Sequence, residues 1–245
     1  MKKNKIFGLI GRNIEYSFSK KYFSKKFQKH NLRCEYLNYD IENIKTIKKI
    51  LLNDDVSGLN VTIPFKEEVI GFIDEIDDVA ASIGAINTIK ISGKKTFGYN
   101  TDYIGFEKSL ISLLDNKKPK NALILGSGGS SKAIKYVLEK LNINHRTVSR
   151  EKGKTEFTYE NLDKTIISNS KIIINCSPVG TFPYLNKSPN IPYQFLTKEH
   201  FLYDLVYNPK QTIFLKKGND IGCKTKNGLE MLEIQADESW KIWNN

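Results

Sequence analysis

Residues 123–134, LILGSGGSSKAI, decide the fold class of this chain. They place Gly126, Gly128 and Gly129 between an apolar run that is typical of a buried strand and a segment with helical periodicity. Such glycines are typical of a dinucleotide-binding turn, because backbone N–H groups must approach a pyrophosphate without an intervening Cβ atom, and the following helix offers its positive end. Ser131 replaces the third glycine of the usual pattern and still permits close helix packing. The alternative is a tight turn that binds no ligand.

The tip of the next strand indicates which dinucleotide binds. An acidic residue at this tip usually binds the ribose 2′-hydroxyl of NAD, whereas an arginine binds the 2′-phosphate of NADP. Arg150 lies at the expected tip, followed by Glu151 and then by Lys152 and Lys154. Although Glu151 weakens the argument, the balance favours NADP(H). The residues predicted to bind the cofactor here are Gly126, Ser127, Gly128, Gly129, Ser130, Ser149 and Arg150.

Strand-like and helix-like segments alternate along the chain, which predicts an α/β protein with largely parallel sheets. Strands are predicted at 5–11, 35–40, 57–63, 86–91, 95–100, 121–126, 145–150, 171–176 and 201–207. Helices are predicted at 19–31, 43–53, 104–114, 132–141, 159–168, 211–218 and 229–243, with a helical stretch after Pro64. The polar segment 115–120 is expected near a domain boundary, and 177–192 is expected to be a loop.

Composition and charge limit the functional classes. With 245 residues, of which 40% are hydrophobic, the chain can form two domains. Its apolar runs are shorter than the roughly 20 residues of a membrane span, so a cytoplasmic location is expected. Cys34, Cys176 and Cys223 are widely spaced, which predicts reduced cysteines and no metal site. The net charge of +11 permits nucleic acid, an anionic membrane surface or a phosphate-bearing ligand as partner, but the lysines are spread along the chain as on a solvated surface.

Eight segments, taken in order, make the chain resemble the shikimate dehydrogenase family. They are GLIGRNIEYSFSKKYF (8–23), GLNVTIPFKEEV (58–69), GAINTI (84–89), GYNTDYIGF (98–106), LILGSGGSSKA (123–133), NCSPVG (175–180), DLVYNPKQT (204–212) and NGLEMLEIQA (227–236). The most specific feature is Lys66 after a strand that ends on Pro64, followed by Asp102. The resemblance implies a substrate-binding and catalytic α/β domain at 1–101 and a Rossmann-type, doubly wound NADP-binding domain at 102–228. A terminal helix, 229–245, is expected to pack back on the first domain.

The resemblance also implies roles for individual residues. Lys66 and Asp102 would be catalytic, because an ammonium can protonate the oxygen of a ketone that accepts hydride and a carboxylate can hold that ammonium in place. The alternative for this pair is a structural salt bridge. Tyr207 and Gly228 are expected near the nicotinamide. The residues expected to bind substrate are Ser17, Ser19, Thr62, Asn87, Gln235 and Tyr207.

Two positions depart from the family pattern, since Tyr16 and Lys20 replace a usual histidine and proline. Both neighbouring serines are retained, so carboxylate binding is expected. The implied activity is the reversible, NADPH-dependent reduction of 3-dehydroshikimate to shikimate, on the route to chorismate and the aromatic amino acids, by a monomer or homodimer. The alternatives are a quinate/shikimate dehydrogenase with relaxed substrate or NAD use, a non-catalytic dinucleotide sensor and a nucleic-acid-binding protein. The last lacks a recognisable nucleic-acid-binding motif.

Overall fold

The protein is described here by a computed structural model that covers residues 5–15 and 17–245. The chain divides into two units. The first consists of Met1–Thr101 together with Gln235–Asn245, and the second of Asp102–Ile234. The units divide between Thr101 and Asp102 and again inside the last helix, between Ile234 and Gln235.

The first unit is built on a mixed six-stranded sheet. Its strands are β1 (Lys5–Gly11), β2 (Cys34–Asp40), β3 (Val56–Val61), β4 (Glu75–Ile76), β5 (Thr88–Ser92) and β6 (Lys95–Tyr99). They lie in the order β2-β1-β3-β5-β6-β4, with β3/β5 and β5/β6 antiparallel and the other pairs parallel. The helices are α1 (Phe18–Lys29), α2 (Ile47–Leu51) and α3 (Asp78–Ile83), with short 3-10 helices at Ile44–Thr46 and Glu68–Phe72.

Hydrophobic side chains cover both faces of this sheet, which explains why its central strands are continuous apolar runs rather than alternating ones. One face packs Ile10, Leu59 and Val61 into an aliphatic core. The other face packs Phe7 against Trp243, whose ring centroids lie 4.8 Å apart. The terminal segment Gln235–Asn245 therefore completes the aromatic core of the first unit.

The second unit is a doubly wound parallel sheet. Its strands are β7 (Asn121–Leu125), β8 (Asn144–Ser149), β9 (Phe157–Thr158), β10 (Ile172–Asn175), β11 (Phe201–Asp204) and β12 (Lys224–Lys226). All pairs are parallel, and the order β12-β11-β10-β7-β8-β9 reverses direction between β7 and β10. The helices are α4 (Asp102–Leu114), α5 (Gly129–Lys140), α6 (Lys164–Asn169) and α7 (Ile213–Ile221), and α8 (Leu229–Asn244) begins in this unit. The predicted α/β class with a Rossmann-type domain is confirmed.

The differences from the sequence-based elements concern short segments. The strands β4, β9 and β12 and the helix α3 were not predicted, because two to six residues are too few to display a period. The helix predicted at 43–53 is a 3-10 turn followed by α2, and the stretch after Pro64 contains turns and a 3-10 helix. Segment 115–120 connects α4 to β7 within the second unit, and α4 stops where Asp115 and Asn116 adopt positive φ.

Candidate active site

The glycine turn lies at the point where the order of the second sheet reverses. Gly126, with φ of +111°, follows β7, and a Cβ atom on it would lie 3.2 Å from the backbone nitrogen of Ser177 in the loop after β10. Gly128 precedes α5 in extended conformation, and a Cβ on it would have open space around it. The carboxyl edge of a parallel sheet at such a switch point is where doubly wound proteins bind their ligands.

The start of α5 suits the pyrophosphate of a dinucleotide. Its N-cap, Gly128, provides no side-chain hydrogen bond, and its first turn contains no acidic residue. Ser127 and Ser130 are partly exposed beside it. Ser131 is buried and donates its hydroxyl proton to the carbonyl oxygen of Gly128 at 2.6 Å, so serine replaces the third glycine without leaving a polar atom unpaired. The turn therefore fits an anion held by the positive end of the helix.

The tip of β8 carries positive charge. The hydroxyl of Ser149 is used within the turn, donating to the carbonyl oxygen of Glu151 at 2.7 Å and accepting from its N–H at 3.1 Å. The carboxylate of Glu151 pairs with Lys154 at 3.3 Å. Arg150 is exposed. Lys154 compensates the negative charge of Glu151, the acidic residue that would favour NAD. The local charge therefore favours the binding of a 2′-phosphate.

Two amides of the first unit are locked in orientation. The Oδ1 of Asn87 accepts from the backbone N–H of Thr101 at 2.7 Å, so its Nδ2 faces the Oε1 of Gln235 and donates to it at 2.7 Å. Gln235 is consequently oriented with its own amide N–H groups away from Asn87. Asn87 is only 1% exposed, and its Nδ2 also donates to the hydroxyl of Thr101 at 3.0 Å. Gln235 is thus oriented to donate hydrogen bonds through its amide N–H groups.

Sequence analysis missed the side chains that support these amides. Asn60 on β3 donates to the carbonyl oxygen of Asn87 at 3.2 Å and to the hydroxyl of Ser239 at 2.9 Å, and accepts from the phenol of Tyr36 at 2.8 Å. The hydroxyls of Thr88 and Ser239 lie 2.8 Å apart in the same network. The signal that could have revealed Asn60 is a polar residue inside an otherwise apolar strand, since a buried amide needs partners.

The serines predicted to bind substrate lie at the start of α1. Ser17 occupies the N-cap position but makes no capping hydrogen bond with its side chain, and its Oγ is buried without a partner among the described residues. The phenol of Tyr36 interacts with Ser19. Lys20 is exposed, and Tyr16 lies outside the described residues. Helix capping therefore does not explain Ser17, whose buried hydroxyl has no hydrogen-bond partner among residues 5–15 and 17–245.

The predicted catalytic residues are both buried. Thr62 directly follows β3, partly exposed, and its N–H donates to Ile10 at 2.8 Å. Lys66 is four residues further on, 8% exposed, and its carbonyl oxygen accepts from the N–H of Ile86 at 2.8 Å. Asp102 begins α4 and is 2% exposed. Lysine and aspartate are rarely buried to this extent unless they are paired or functional.

Tyr207 and Gly228 belong to one corner of the second unit. The segment after β11 places Val206 so that its carbonyl oxygen accepts from the N–H of Gly228 at 3.1 Å. A Cβ on Gly228 would overlap the carbonyl group of Leu205, so only glycine allows this approach. Tyr207 follows Val206 and is partly exposed. The structure thus brings the two residues predicted near the nicotinamide onto neighbouring segments.

A six-stranded doubly wound unit with a glycine turn at its switch point, joined in one chain to a unit with a buried lysine and oriented amides, is typical of dinucleotide-dependent oxidoreductases. The family model of the shikimate dehydrogenase substrate binding domain matches residues 9–89. The chain is 38% identical to the shikimate dehydrogenase (NADP(+)) of Methanococcus vannielii, covering 98% of this chain and 92% of that protein. The chain belongs to the shikimate dehydrogenase family.

Solved structures agree with this assignment. A crystal structure of a shikimate dehydrogenase in complex with NADP+ superposes with a TM-score of 0.85 and 32% identity, covering 98% of this chain and 90% of that one. The structure of the Thermus thermophilus enzyme in complex with NADP(H) and shikimate superposes with a TM-score of 0.84 and 25% identity, covering 98% of this chain and 93% of that one. The predicted family, enzyme class and cofactor, NADP(H), are confirmed. Within residues 5–15 and 17–245, no helix is long and apolar enough to cross a membrane.

Proposed function

We propose that this protein catalyses the reversible, NADPH-dependent reduction of 3-dehydroshikimate to shikimate, with Lys66 and Asp102 as its catalytic residues. The observation that carries the proposal is the burial of Lys66, 8% exposed, in a unit whose remaining predicted ligands are neutral hydroxyls and amides. An ammonium in such surroundings stabilises negative charge on an oxygen much more strongly than it does in water. The proposal therefore assigns Lys66 to the oxygen of the reacting ketone.

The chemistry balances with one hydride and one proton. NADPH, when bound, supplies the hydride that adds to the ketone carbon. Lys66 donates a hydrogen bond to the ketone oxygen and then transfers a proton to it, which completes the hydroxyl group of shikimate. We assign to Asp102 the orientation of the ammonium, and solvent returns the proton to Lys66 after turnover. In the opposite direction Lys66 accepts the hydroxyl proton.

Binding of the substrate is assigned to groups without net charge. The Oγ of Ser17, which has no partner in the part of the chain that the structure describes, donates to the substrate carboxylate, with Ser19 and Thr62 supplying further hydroxyls. Gln235 donates through the amide N–H groups that Asn87 orients. Because Asn87 uses both amide protons within the protein, its contribution is to hold Gln235 in this orientation. Such a site recognises a small polyol acid by hydrogen-bond geometry.

The cofactor is assigned to the second unit. The turn from Gly126 to Ser130 holds the pyrophosphate, and Arg150 binds the 2′-phosphate. Ser149 contributes by shaping the tip of β8, since its hydroxyl is used within the turn. Tyr207 and Gly228 flank the nicotinamide. The open start of α5 and the charge at the strand tip support the first two assignments, and the family resemblance supports that of Tyr207 and Gly228.

The proposal includes a cytoplasmic location and a monomer or homodimer as the working form. The three cysteines are unpaired, as is usual in a reducing compartment. Light scattering of the purified protein distinguishes a mass near 28.1 kDa from twice that value.

The test is a spectrophotometric assay that combines shikimate or quinate with NADP+ or NAD+. We expect the highest kcat/KM for shikimate with NADP+, because Arg150 favours the 2′-phosphate. Turnover of quinate with comparable kcat/KM would replace the proposal with a quinate/shikimate dehydrogenase. No turnover of either substrate, together with tight binding of NADPH, would indicate a dinucleotide sensor.

A further inference from the structure

A buried carboxylate, Asp204, connects three segments at the carboxyl edge of the second sheet. It ends β11 and is 0% exposed. Its Oδ1 accepts from the Nδ2 of Asn175 at 2.9 Å and from the N–H of Val206 at 3.0 Å, and its Oδ2 accepts from the hydroxyl of Thr212 at 2.6 Å. These donors lie at the end of β10, in the segment after β11 and at the N-cap of α7. One side chain thus joins three separate pieces of the chain.

The link through Asn175 continues into the glycine turn. The Oδ1 of Asn175 accepts from the N–H of Ser177 at 3.1 Å and from its hydroxyl at 2.6 Å, while its Nδ2 also donates to the carbonyl oxygen of Val179 at 3.2 Å. Ser177 is the residue against which Gly126 packs. The loop after β10 is therefore fixed by Asn175, and that loop supports the turn assigned to the pyrophosphate.

The link through Val206 continues to the other end of the cofactor site. Asp204 fixes the N–H of Val206, whose carbonyl oxygen accepts from the N–H of Gly228 at 3.1 Å. Tyr207 is the next residue. The position of both predicted nicotinamide neighbours therefore depends on a segment that the carboxylate of Asp204 holds at its first turn.

An aspartate here is costly as a purely structural group. Within residues 5–15 and 17–245, no cation pairs with its carboxylate, and burial raises the pKa of Asp204 to about 6. A carboxylate is nevertheless the group that fits, since it only accepts hydrogen bonds and three donors converge on it. Burying the charge of Asp204 is energetically unfavourable, so its presence at the edge of the cofactor site points to a role in cofactor binding.

We propose that Asp204 is a positioning residue for the nicotinamide end of the cofactor, acting by tying the loop after β10, the segment after β11 and the start of α7 together. This inference rests on the proposed function, because it assigns the nicotinamide to the corner that contains Tyr207 and Gly228. Asp204 does not touch substrate or cofactor. It determines where the residues that do so are held.

The experiment compares Asp204→Ala, Asp204→Asn and the matched control Tyr203→Phe in the full-length protein. Asp204→Ala is expected to raise KM for NADPH about tenfold or more and to lower kcat, because a small displacement of positioning groups is costly. KM for 3-dehydroshikimate should rise less than KM for NADPH, because Tyr207 is the one residue expected to bind substrate that lies in the segment held by Asp204, and the others belong to the first unit. In Asp204→Asn, the amide N–H of the new side chain can donate to the hydroxyl oxygen of Thr212 once that hydroxyl rotates. KM for NADPH should therefore remain within about threefold of the wild-type value.

Tyr203→Phe removes an equally buried hydrogen bond, 2.6 Å to Ser109, from the preceding residue of β11. It is expected to lower the melting temperature and to leave KM for NADPH unchanged. An unchanged KM in folded Asp204→Ala, or an equal rise in Tyr203→Phe, would overturn the inference. If Asp204→Ala does not fold, Thr212→Val carries the test, with about a threefold rise expected and no rise overturning it.

The same measurements separate the two proposals. Wild-type protein that lacks turnover with NADPH contradicts the proposed function. Wild-type protein that turns over normally, together with an unaffected Asp204→Ala variant, contradicts only the assignment of Asp204.

Discussion

Lys66 is the residue on which the proposed chemistry depends, and its burial distinguishes two explanations. In a structural salt bridge the ammonium contributes to stability, whereas in the proposed mechanism it meets charge that develops only in the transition state. The first role affects the melting temperature, and the second affects kcat. The two explanations therefore predict opposite results for the same substitution.

Lys66→Ala is expected to lower kcat by about 100-fold or more, the usual contribution of general acid catalysis. KM for shikimate should change by less than about tenfold, because Ser17, Thr62 and Gln235 remain. Steady-state kinetics of Lys66→Ala, Asp102→Asn and the double variant provide the measurement. The double variant should lose much less than the product of the single losses, since groups that act as a unit are not additive.

A folded Lys66→Ala variant with near-normal kcat and a lowered melting temperature would show that the lysine is structural.

Arg150→Ala is expected to raise KM for NADPH by about tenfold or more, because a charge-assisted hydrogen bond to the 2′-phosphate contributes about 1.5–3 kcal/mol. KM for NADH should be nearly unaffected, since NADH has no such phosphate. The control is Lys152→Ala, which removes a cation whose side chain is 85% exposed. Equal changes with both cofactors would show that Arg150 does not bind the 2′-phosphate.

For individual residues, the sequence predicted which side chains belong to the candidate site better than it predicted their hydrogen-bond partners. Ser17, Asn87 and Gln235 could be assigned to substrate from the family resemblance, but their partners are contributed by distant segments. The amide of Gln235 is oriented from a position 148 residues away, and such a pairing leaves no local pattern. Asp204 was missed for the same reason, since its three donors come from different loops.

The long elements followed from periodicity. β1 is a strand over the predicted residues, whereas α5 starts at Gly129, three residues before the predicted start of this helix. The expected helix after Pro64 was wrong because its residues form turns and a 3-10 helix, in which tertiary contacts rather than helical periodicity decide the conformation. The edge strands β4, β9 and β12 are too short to be detected without knowledge of their neighbours, whereas the longer edge strand β2 was predicted.

The contact between β3 and α8 gives a prediction about elements. A Cβ on Gly58 would overlap the indole ring of Trp243, whereas a Cβ on Gly71 would meet nothing within 4 Å. Gly58→Ala is therefore expected to reduce the free energy of unfolding by about 1–3 kcal/mol through overpacking, and Gly71→Ala should have little effect. Chemical denaturation followed by circular dichroism compares the two variants. Equal stabilities would show that α8 does not pack tightly on β3.

For the whole molecule, Asp204 makes the free energy of unfolding depend on pH in the direction opposite to that of an ordinary hydrogen-bonded carboxylate. Its folded pKa of about 6 exceeds the ordinary value of 3.8, so the folded state binds the proton more tightly. The free energy of unfolding should therefore fall as pH rises from about 4 to about 6 and then level off, by up to about 3 kcal/mol for this group. The neighbouring Cys176, Tyr193 and Tyr203 have pKa values raised by burial and do not titrate in this window.

The measurement is the difference between wild type and Asp204→Asn in urea unfolding at several pH values, which cancels the contributions of other carboxylates. We expect wild type to lose stability relative to the variant as pH increases through the window. A difference that does not change with pH would show that the carboxylate keeps the same proton affinity in both states.

The aromatic core of the first unit has a spectroscopic consequence. The chain contains two tryptophans, Trp240 and Trp243, and both lie on the part of α8 that belongs to this unit. The indole N–H of Trp243 donates to Ile89 at 2.9 Å, so the emission of this ring will shift when that contact opens. Tryptophan fluorescence therefore reports the melting of the first unit, while circular dichroism averages over both units. Comparing the two signals in one titration shows whether the units unfold together or in succession.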